Sequence, residues 1–297
     1  MTSPAPAGDP FVAHRNLLFT LAYEMLGSAA DAEDVVQETW LRWAEVDHAR
    51  VQEPRAYLVR IVTRQALNRL RTLSRRREDY VGEWLPEPLL TAPDVAEDVE
   101  LAESVSMAML TVLETLGPTE RAVFVLREVF DLPYDEIAAA VGKTSAAVRQ
   151  IATRARNHVT ARRPRVDVDR DEQQAVVDRF LAAVQGGDLQ GLLDALAPDV
   201  VLLADGGGVA NAIRRPLAGA EPVARLLANF ALYAPGASIA PVWLNGAPGA
   251  RIDAHGELTA VSLVVEDGRI TRILAMRNPA KLTSIDAEVA LSRAAQQ

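Results

Sequence analysis

The sequence predicts a multidomain chain in which two small all-α domains precede a larger α+β domain. Three observations carry this. Apolar residues recur at helical spacing through residues 11–77 and again from about 99 to 163; after residue 167 a helix pair leads into short apolar runs of β character. The helical segments are divided by Trp84-Leu85-Pro86-Glu87-Pro88-Leu89. This stretch cannot be a helix interior, because each proline lacks an amide hydrogen and pushes its predecessor toward extended geometry. Finally, charge is segregated. Residues 54–77 hold eight Arg and no carboxylate, residues 78–103 hold nine carboxylates and no Lys or Arg, and residues 143–165 hold six Arg, one Lys and no carboxylate. The expected domains are 10–78, a linker at 79–98, 99–165 and 167–297.

In the first segment, Val12, Leu17, Leu18, Leu21, Ala22, Met25 and Leu26 predict a helix that Gly27 stops. Ser28 and Asp31 are candidate caps for a second helix, which turns Val35, Val36, Thr39, Trp40 and Trp43 inward. A third helix follows Pro54 and carries Leu58, Ile61, Val62, Ala66, Leu70 and Leu73 on one side. The linker, with its Trp and Leu residues, is expected to be ordered. In the last domain, helices near 171–185 and 188–197 precede a strand at Val200–Ala204, a helix near 220–233, and β-runs at 239–244, 258–266 and 269–276. Asp267-Gly268 predicts a tight hairpin, since a type I′ turn needs positive φ at both central residues.

Composition removes several function classes. The chain has no cysteine and four scattered histidines, so no metal site and no cofactor are expected. No apolar run approaches the roughly 20 residues that span a bilayer, and Met1–Pro10 has no signal-peptide pattern, so a cytoplasmic protein with no membrane partner is expected. The net charge of −9 argues against a simple nucleic-acid binder. Two basic blocks around an acidic connector argue instead for two nucleic-acid contacts with a different task between them.

The clearest motif runs from Leu132 to Gln150. A short apolar helix ends at Gly142, and Thr144 can cap a second helix whose Val148, Ile151, Ala152 and Ala155 form a buried stripe. Ser145, Arg149, Gln150, Arg154 and Arg156 remain outside. This is helix-turn-helix design: the second helix enters a major groove, its first polar residues face base edges, and arginines hold phosphates. A surface αα-hairpin with a solvated basic face is the plainer reading, which the missing carboxylates disfavour. A second motif, Asp31 to Trp43, is acidic outside through Asp31, Glu33, Asp34, Gln37 and Glu38. DNA would repel this face; a basic protein surface would not, although acidic helix faces are often only solvated.

Together these segments resemble the extracytoplasmic-function sigma factors of the sigma-70 family. Asp31 to Trp43 is similar to region 2.2, which implies contact with the clamp of the polymerase β′ subunit; the β subunit is a further implied partner. Residues 54–77 resemble regions 2.3 and 2.4, which implies opening and reading of the −10 element. Leu116-Gly117-Pro118-Thr119-Glu120-Arg121 with the helix-turn-helix resembles region 4, which implies reading of the −35 element of promoter DNA. Residues 167–297 resemble a SnoaL-like domain of the NTF2-like cone fold. The implied architecture is thus a sigma-2 helical bundle and a sigma-4 helix-turn-helix domain plus an α+β cone. Trp84 to Leu89 (Pro86 included), Asp205-Gly206-Gly207-Gly208 and Asn278-Pro279-Ala280-Lys281-Leu282 match the subgroup that has this extension, except that the subgroup carries an acidic residue where Ala280 stands.

Within residues 54–77, Tyr57, Arg60, Arg64, Asn68 and Arg71 are candidates for holding an unpaired strand, with Arg69 as a further phosphate contact. Tyr57 could equally be a core residue. The acidic linker could mimic RNA in the polymerase's RNA channel, or be merely soluble and extended. Asp205 is the only candidate general base in the cone, and no partner for catalysis is legible. Regulation by domain contact, with a small ligand in the cone as an option, is the favoured reading. Trp84, a tryptophan just ahead of two prolines with little local core, and the Gly-rich turn after an apolar strand are expected to meet. A helix-turn-helix repressor with a ligand domain is a third reading, but it leaves residues 31–43 and 54–77 unexplained.

Overall fold

The computed structural model describes residues 9–77, 80–93, 95, 98–163 and 170–293. The expected boundary at 165–167 and the charges of Asp94, Glu97 and Arg165 lie outside these residues. The chain divides into two compact units: residues 1–78, 112–162 and 290–297 form the first, and residues 79–111 and 163–289 form the second. The linker therefore groups with the C-terminal α+β domain, together with the helices that follow it as far as Thr111.

The first unit starts with α1 (Pro10–Leu26), α2 (Ala29–Ala44) and α3 (Pro54–Arg77). Asp9 caps α1 by accepting the Phe11 amide, and its Oδ1 also accepts the indole N–H of buried Trp43 at 2.8 Å, which ties α1 to α2. Gly27 takes φ 67°, the left-handed stop its sequence position implies. Ser28 alone caps α2, by accepting the Asp31 amide; Asp31 sits in the first turn, where a carboxylate complements the helix dipole. Val12 is exposed, and Phe11 takes the buried place at this end of α1. Trp40 is half-buried against Phe11.

After α4 (Val99–Val105) and α5 (Met107–Leu113), the first unit resumes with α6 (Pro118–Phe124), a π-helical turn at Val125–Val129, α7 (Tyr134–Val141) and α8 (Ser145–Thr160). Gly142 ends α7 at φ 69°, and Thr144 caps α8 by accepting the Ala147 amide at 3.2 Å. Val148, Ile151, Ala152 and Ala155 are all buried.

In the second unit, α9 (Arg170–Gly186), α10 (Leu189–Ala195), α11 (Ala220–Ala228) and α12 (Phe230–Tyr233) accompany a six-stranded sheet. Its strands are β1 (Leu196–Asp205), β2 (Leu217–Ala218), β3 (Ser238–Leu244), β4 (Ala247–Ala254), β5 (Glu257–Glu266) and β6 (Arg269–Met276). They lie in the order β2-β1-β6-β5-β4-β3, with β1 parallel to β6 and every other pair antiparallel. Val176, Phe180 and Leu181 of α9 pack with Leu202, Leu263 and Ile273 of the sheet in one apolar cluster. This is the α+β cone.

Two strands differ from expectation. β2 is too short to leave a sequence pattern. β4 reads Ala-Pro-Gly-Ala-Arg-Ile-Asp-Ala, whose small residues and proline hide its strand character. Its flanks do announce it: Asn245-Gly246 and His255-Gly256 both take positive φ at each residue, as Asp267-Gly268 does. The helix expected near 220–233 is broken at Asn229 into α11 and α12.

Candidate functional site

The two ends of the linker are built into the second unit. Asp205, at the end of β1, is fully buried. Its carboxylate accepts from the Tyr80 hydroxyl at 2.5 Å, the Leu85 amide at 3.0 Å, the Gly207 amide at 3.0 Å and the Lys281 ammonium at 2.7 Å. Lys281, itself 5% exposed, also donates to the Leu85 carbonyl at 2.6 Å. Its Nζ lies 3.1 Å from the Trp84 ring centroid and 4.9 Å from that of Tyr80, so the cation is caged by two aromatic faces. Asn278 donates to the Tyr80 hydroxyl at 2.8 Å. Burial, followed by the hydrogen bond and charge of Asp205, raises the Tyr80 pKa, so its proton stays in place.

The glycines have a local reason. Gly207 takes φ 61°, and a Cβ there would come within 2.4 Å of the Asn278 side chain. Gly206 is buried and accepts the Val209 and Ala210 amides. Pro86 is buried, whereas Pro279 and Ala280 are exposed on the short 3-10 turn that Asn278 caps. The linker, the Gly-rich turn and the Asn278–Lys281 motif are thus brought together. Tyr80 was missed in the sequence because nothing local distinguishes it.

The far end of the linker is held by Asn245. Its Oδ1 accepts the Leu89 amide, its amide nitrogen Nδ2 donates to the Val105 carbonyl, and its own backbone amide donates to the Leu89 carbonyl, each at 2.9 Å. The Thr91 amide donates to the Trp243 carbonyl at 3.0 Å, and Leu90 forms a bridge with Leu244. Leu85 and Leu89 are fully buried. Asn245 too was not foreseen, although Asn-Gly at a two-residue turn was a readable signal.

In the first unit, every carboxylate of the acidic face on α2 is paired. Asp31 and Asp34 both meet Arg69 of α3, at 2.5 and 3.2 Å. Glu33 meets Arg15 at 2.7 Å, and Glu38 accepts from Gln65 at 2.9 Å. Gln37 is exposed. Arg69, expected as a phosphate contact, is thus engaged by α2, and its pKa is raised first by the Asp31 hydrogen bond. On α3, Arg60, Arg64, Asn68 and Arg71 are exposed. Tyr57 is half-buried, with its ring 6.0 Å from Trp43 and the Arg60 guanidinium 5.2 Å over it.

On the helix-turn-helix, Arg149, Gln150 and Arg154 are exposed. Ser145 donates to Asp135, and the Arg149 guanidinium lies 5.4 Å over Tyr134. Arg156 forms a two-pronged pair with Glu128 at 3.0 and 2.7 Å, which raises its pKa. α3 packs on α7, with Arg64 donating to the Ala139 carbonyl at 3.0 Å. Arg121 of α6 is buried and donates to the Glu24 carbonyl of α1 and to Glu114; burial lowers its pKa to about 9.

Helical modules with a paired acidic face and a helix-turn-helix, joined to an α+β cone, define a multidomain transcription factor. Comparison with known proteins gives the family. Residues 11–76 match Sigma-70 region 2, and residues 106–159 match Sigma-70, region 4. The chain is 37% identical to the ECF RNA polymerase sigma factor SigJ of Mycobacterium tuberculosis over 92% of each chain. It is 32% identical to the probable ECF RNA polymerase sigma factor SigI of the same species, over 97% of this chain and 99% of the other. The crystal structure of M. tuberculosis SigJ superposes with a TM-score of 0.76 at 34% identity, covering 93% of this chain and 98% of that one. The chain belongs to the extracytoplasmic-function RNA polymerase sigma factors; it directs promoter recognition and transcription initiation.

Proposed function

We propose that this sigma factor rests in a closed form, with its −10 and −35 readers packed together and its linker clamped, and that core polymerase opens it. The single observation that carries this is the α3–α7 packing, with Arg64 bonded to Ala139. The two promoter elements are named for positions about 25 base pairs apart, roughly 85 Å at 3.4 Å per step. Helices that touch cannot reach both. The buried Arg121 charge is an unfavourable element of the closed form that opening would relieve.

Contact with the polymerase falls to Asp31, Glu33, Asp34, Gln37 and Glu38 against the β′ clamp, with β as a further partner. Strand capture falls to Tyr57, Arg60, Arg64, Asn68 and Arg71, and −35 reading to Thr144, Ser145, Arg149, Gln150, Arg154 and Arg156. The cone acts by holding the linker through Trp84, Pro86, Asp205, Gly206, Gly207, Asn278, Pro279 and Lys281. A catalytic cone has little support. A general base needs a lone pair open to substrate, and the Asp205 carboxylate is closed from solvent and accepts four hydrogen bonds. No helix among the described residues is long and apolar enough to cross a membrane.

The test is run-off transcription with core polymerase, comparing the full-length protein with a 1–166 truncation on the promoter at its own locus. It should be paired with distance measurements between labels on α3 and α8. The distance should lengthen by several tens of ångströms when core is added. An unchanged distance refutes the closed-form reading.

A further inference from the structure

We propose that Arg69 is a coupling residue: it masks the acidic polymerase-facing helix in the free protein, and core binding hands it over to the DNA strand. This rests on the reading of α2 as the polymerase face and deepens it. Three of the four carboxylates that would attract a basic partner already face an arginine from within, while Glu38 is held by the neutral Gln65. Arg69 forks between Asp31 and Asp34, one helical turn apart, with Nε to Asp31 at 2.6 Å and a terminal nitrogen to Asp34 at 3.2 Å. Arg15 likewise holds Glu33. A basic surface that docks on α2 must compete with both arginines.

The consequences differ for the two. Arg15 belongs to α1 and not to the strand-capturing helix α3. Arg69 belongs to α3, between Asn68 and Arg71, which are exposed. Its side chain is 40% exposed and the Asp34 side chain 60%, so the pair is open to exchange rather than locked in a core. Polymerase cations that take Asp34, and then the less exposed Asp31, release a guanidinium beside the residues that hold the unpaired strand. Docking and strand capture then draw on one side chain, and strand capture before docking is disfavoured because that charge is engaged.

The test uses the full-length protein with core polymerase. Affinity for core is measured first, then the salt dependence with which the assembled holoenzyme binds a single-stranded non-template oligonucleotide from the −10 region of its own promoter. Arg69→Gln should tighten core binding about two- to five-fold, the scale of a partly exposed ion pair. It should also lower the salt slope of strand binding by about one, the signature of one lost phosphate contact. Arg15→Gln should tighten core binding but leave the strand slope alone. Arg69→Lys keeps one charge without the fork, and should keep the strand slope. Core affinity that is unchanged or weaker in Arg69→Gln overturns the proposal, because the arginine then masks nothing or builds the face. An unaltered strand slope overturns it equally. Asp34→Lys separates the two levels: if that reversal leaves core affinity untouched, α2 is not the polymerase face and the underlying reading fails.

Discussion

The ammonium of Lys281 meets the carboxylate of Asp205 at 2.7 Å, and neither side chain retains more than about a twentieth of its surface in water. Breaking a buried pair from one side strands the other charge. Asp205→Ala should therefore destabilise the second unit by about 3–5 kcal/mol. Lys281→Met, which keeps the stem and removes the charge, should be less damaging, because Tyr80, Leu85 and Gly207 still donate to Asp205. Denaturant midpoints of the full-length variants check the order.

Trp84 and Asp205 act on one linker through Lys281 and Leu85. Trp84→Ala and Asp205→Ala should change promoter output in the same direction, with a double mutant less than additive. Additive effects in a transcription assay would separate the linker from the cone. Asn245→Ala should reproduce the phenotype from the other end, since it removes bonds to both Leu89 and Val105.

On the helix-turn-helix, Arg149→Ala should alter base preference at the −35 element by about 1–3 kcal/mol of discrimination. Arg154→Ala should weaken binding evenly and flatten the salt slope by about one. Arg156 is engaged by Glu128, so Glu128→Gln should free it and steepen that slope. A promoter library read with each variant decides. Lower activity with unchanged base preference would assign Arg149 to the backbone.

Charge reversal at Asp34 and Glu38 together should abolish association with core polymerase while far-ultraviolet circular dichroism stays constant. Both side chains are exposed, and the helix is held by Val35, Val36, Thr39 and Trp43 beneath. Undiminished capture of core would remove α2 from the interface.

Burial first, then nearby Arg55, lowers the pKa of His14 below its usual 6.5. The unfolded chain thus binds this proton more readily than the folded one. The stability linked to neutral His14 is present above about pH 6.5 and declines as pH falls below it. His14→Gln should flatten that acid limb in denaturation curves taken between pH 7 and 5. An identical limb would place the acid sensitivity elsewhere.

Local patterns decided much of this. Gly27, Ser28, Gly142 and Thr144 set helix ends wherever they occur, because caps and left-handed stops act over one turn of chain. The apolar stripe of α8 and the turn at Asp267-Gly268 are likewise properties of a few neighbouring residues. The meeting of the Trp84 linker with the Asp205 turn was foreshadowed by residues without a local role, an aromatic ahead of prolines and glycines after a strand; the place of Lys281 between them was not.

What only the tertiary structure decided is which polar groups find each other. Tyr80 looks ordinary in sequence and Asn245 reads only as a turn residue; both become anchors because the fold brings Asp205 and Leu89 to them across more than a hundred residues. Arg69 looks like one more basic residue in a basic block; its pairing with Asp31 and Asp34 exists only once α3 lies beside α2. Caps and stripes are set by short-range geometry that the chain carries everywhere. Ion pairs and buried hydrogen bonds depend on distance and desolvation, and both come into being only when the elements pack.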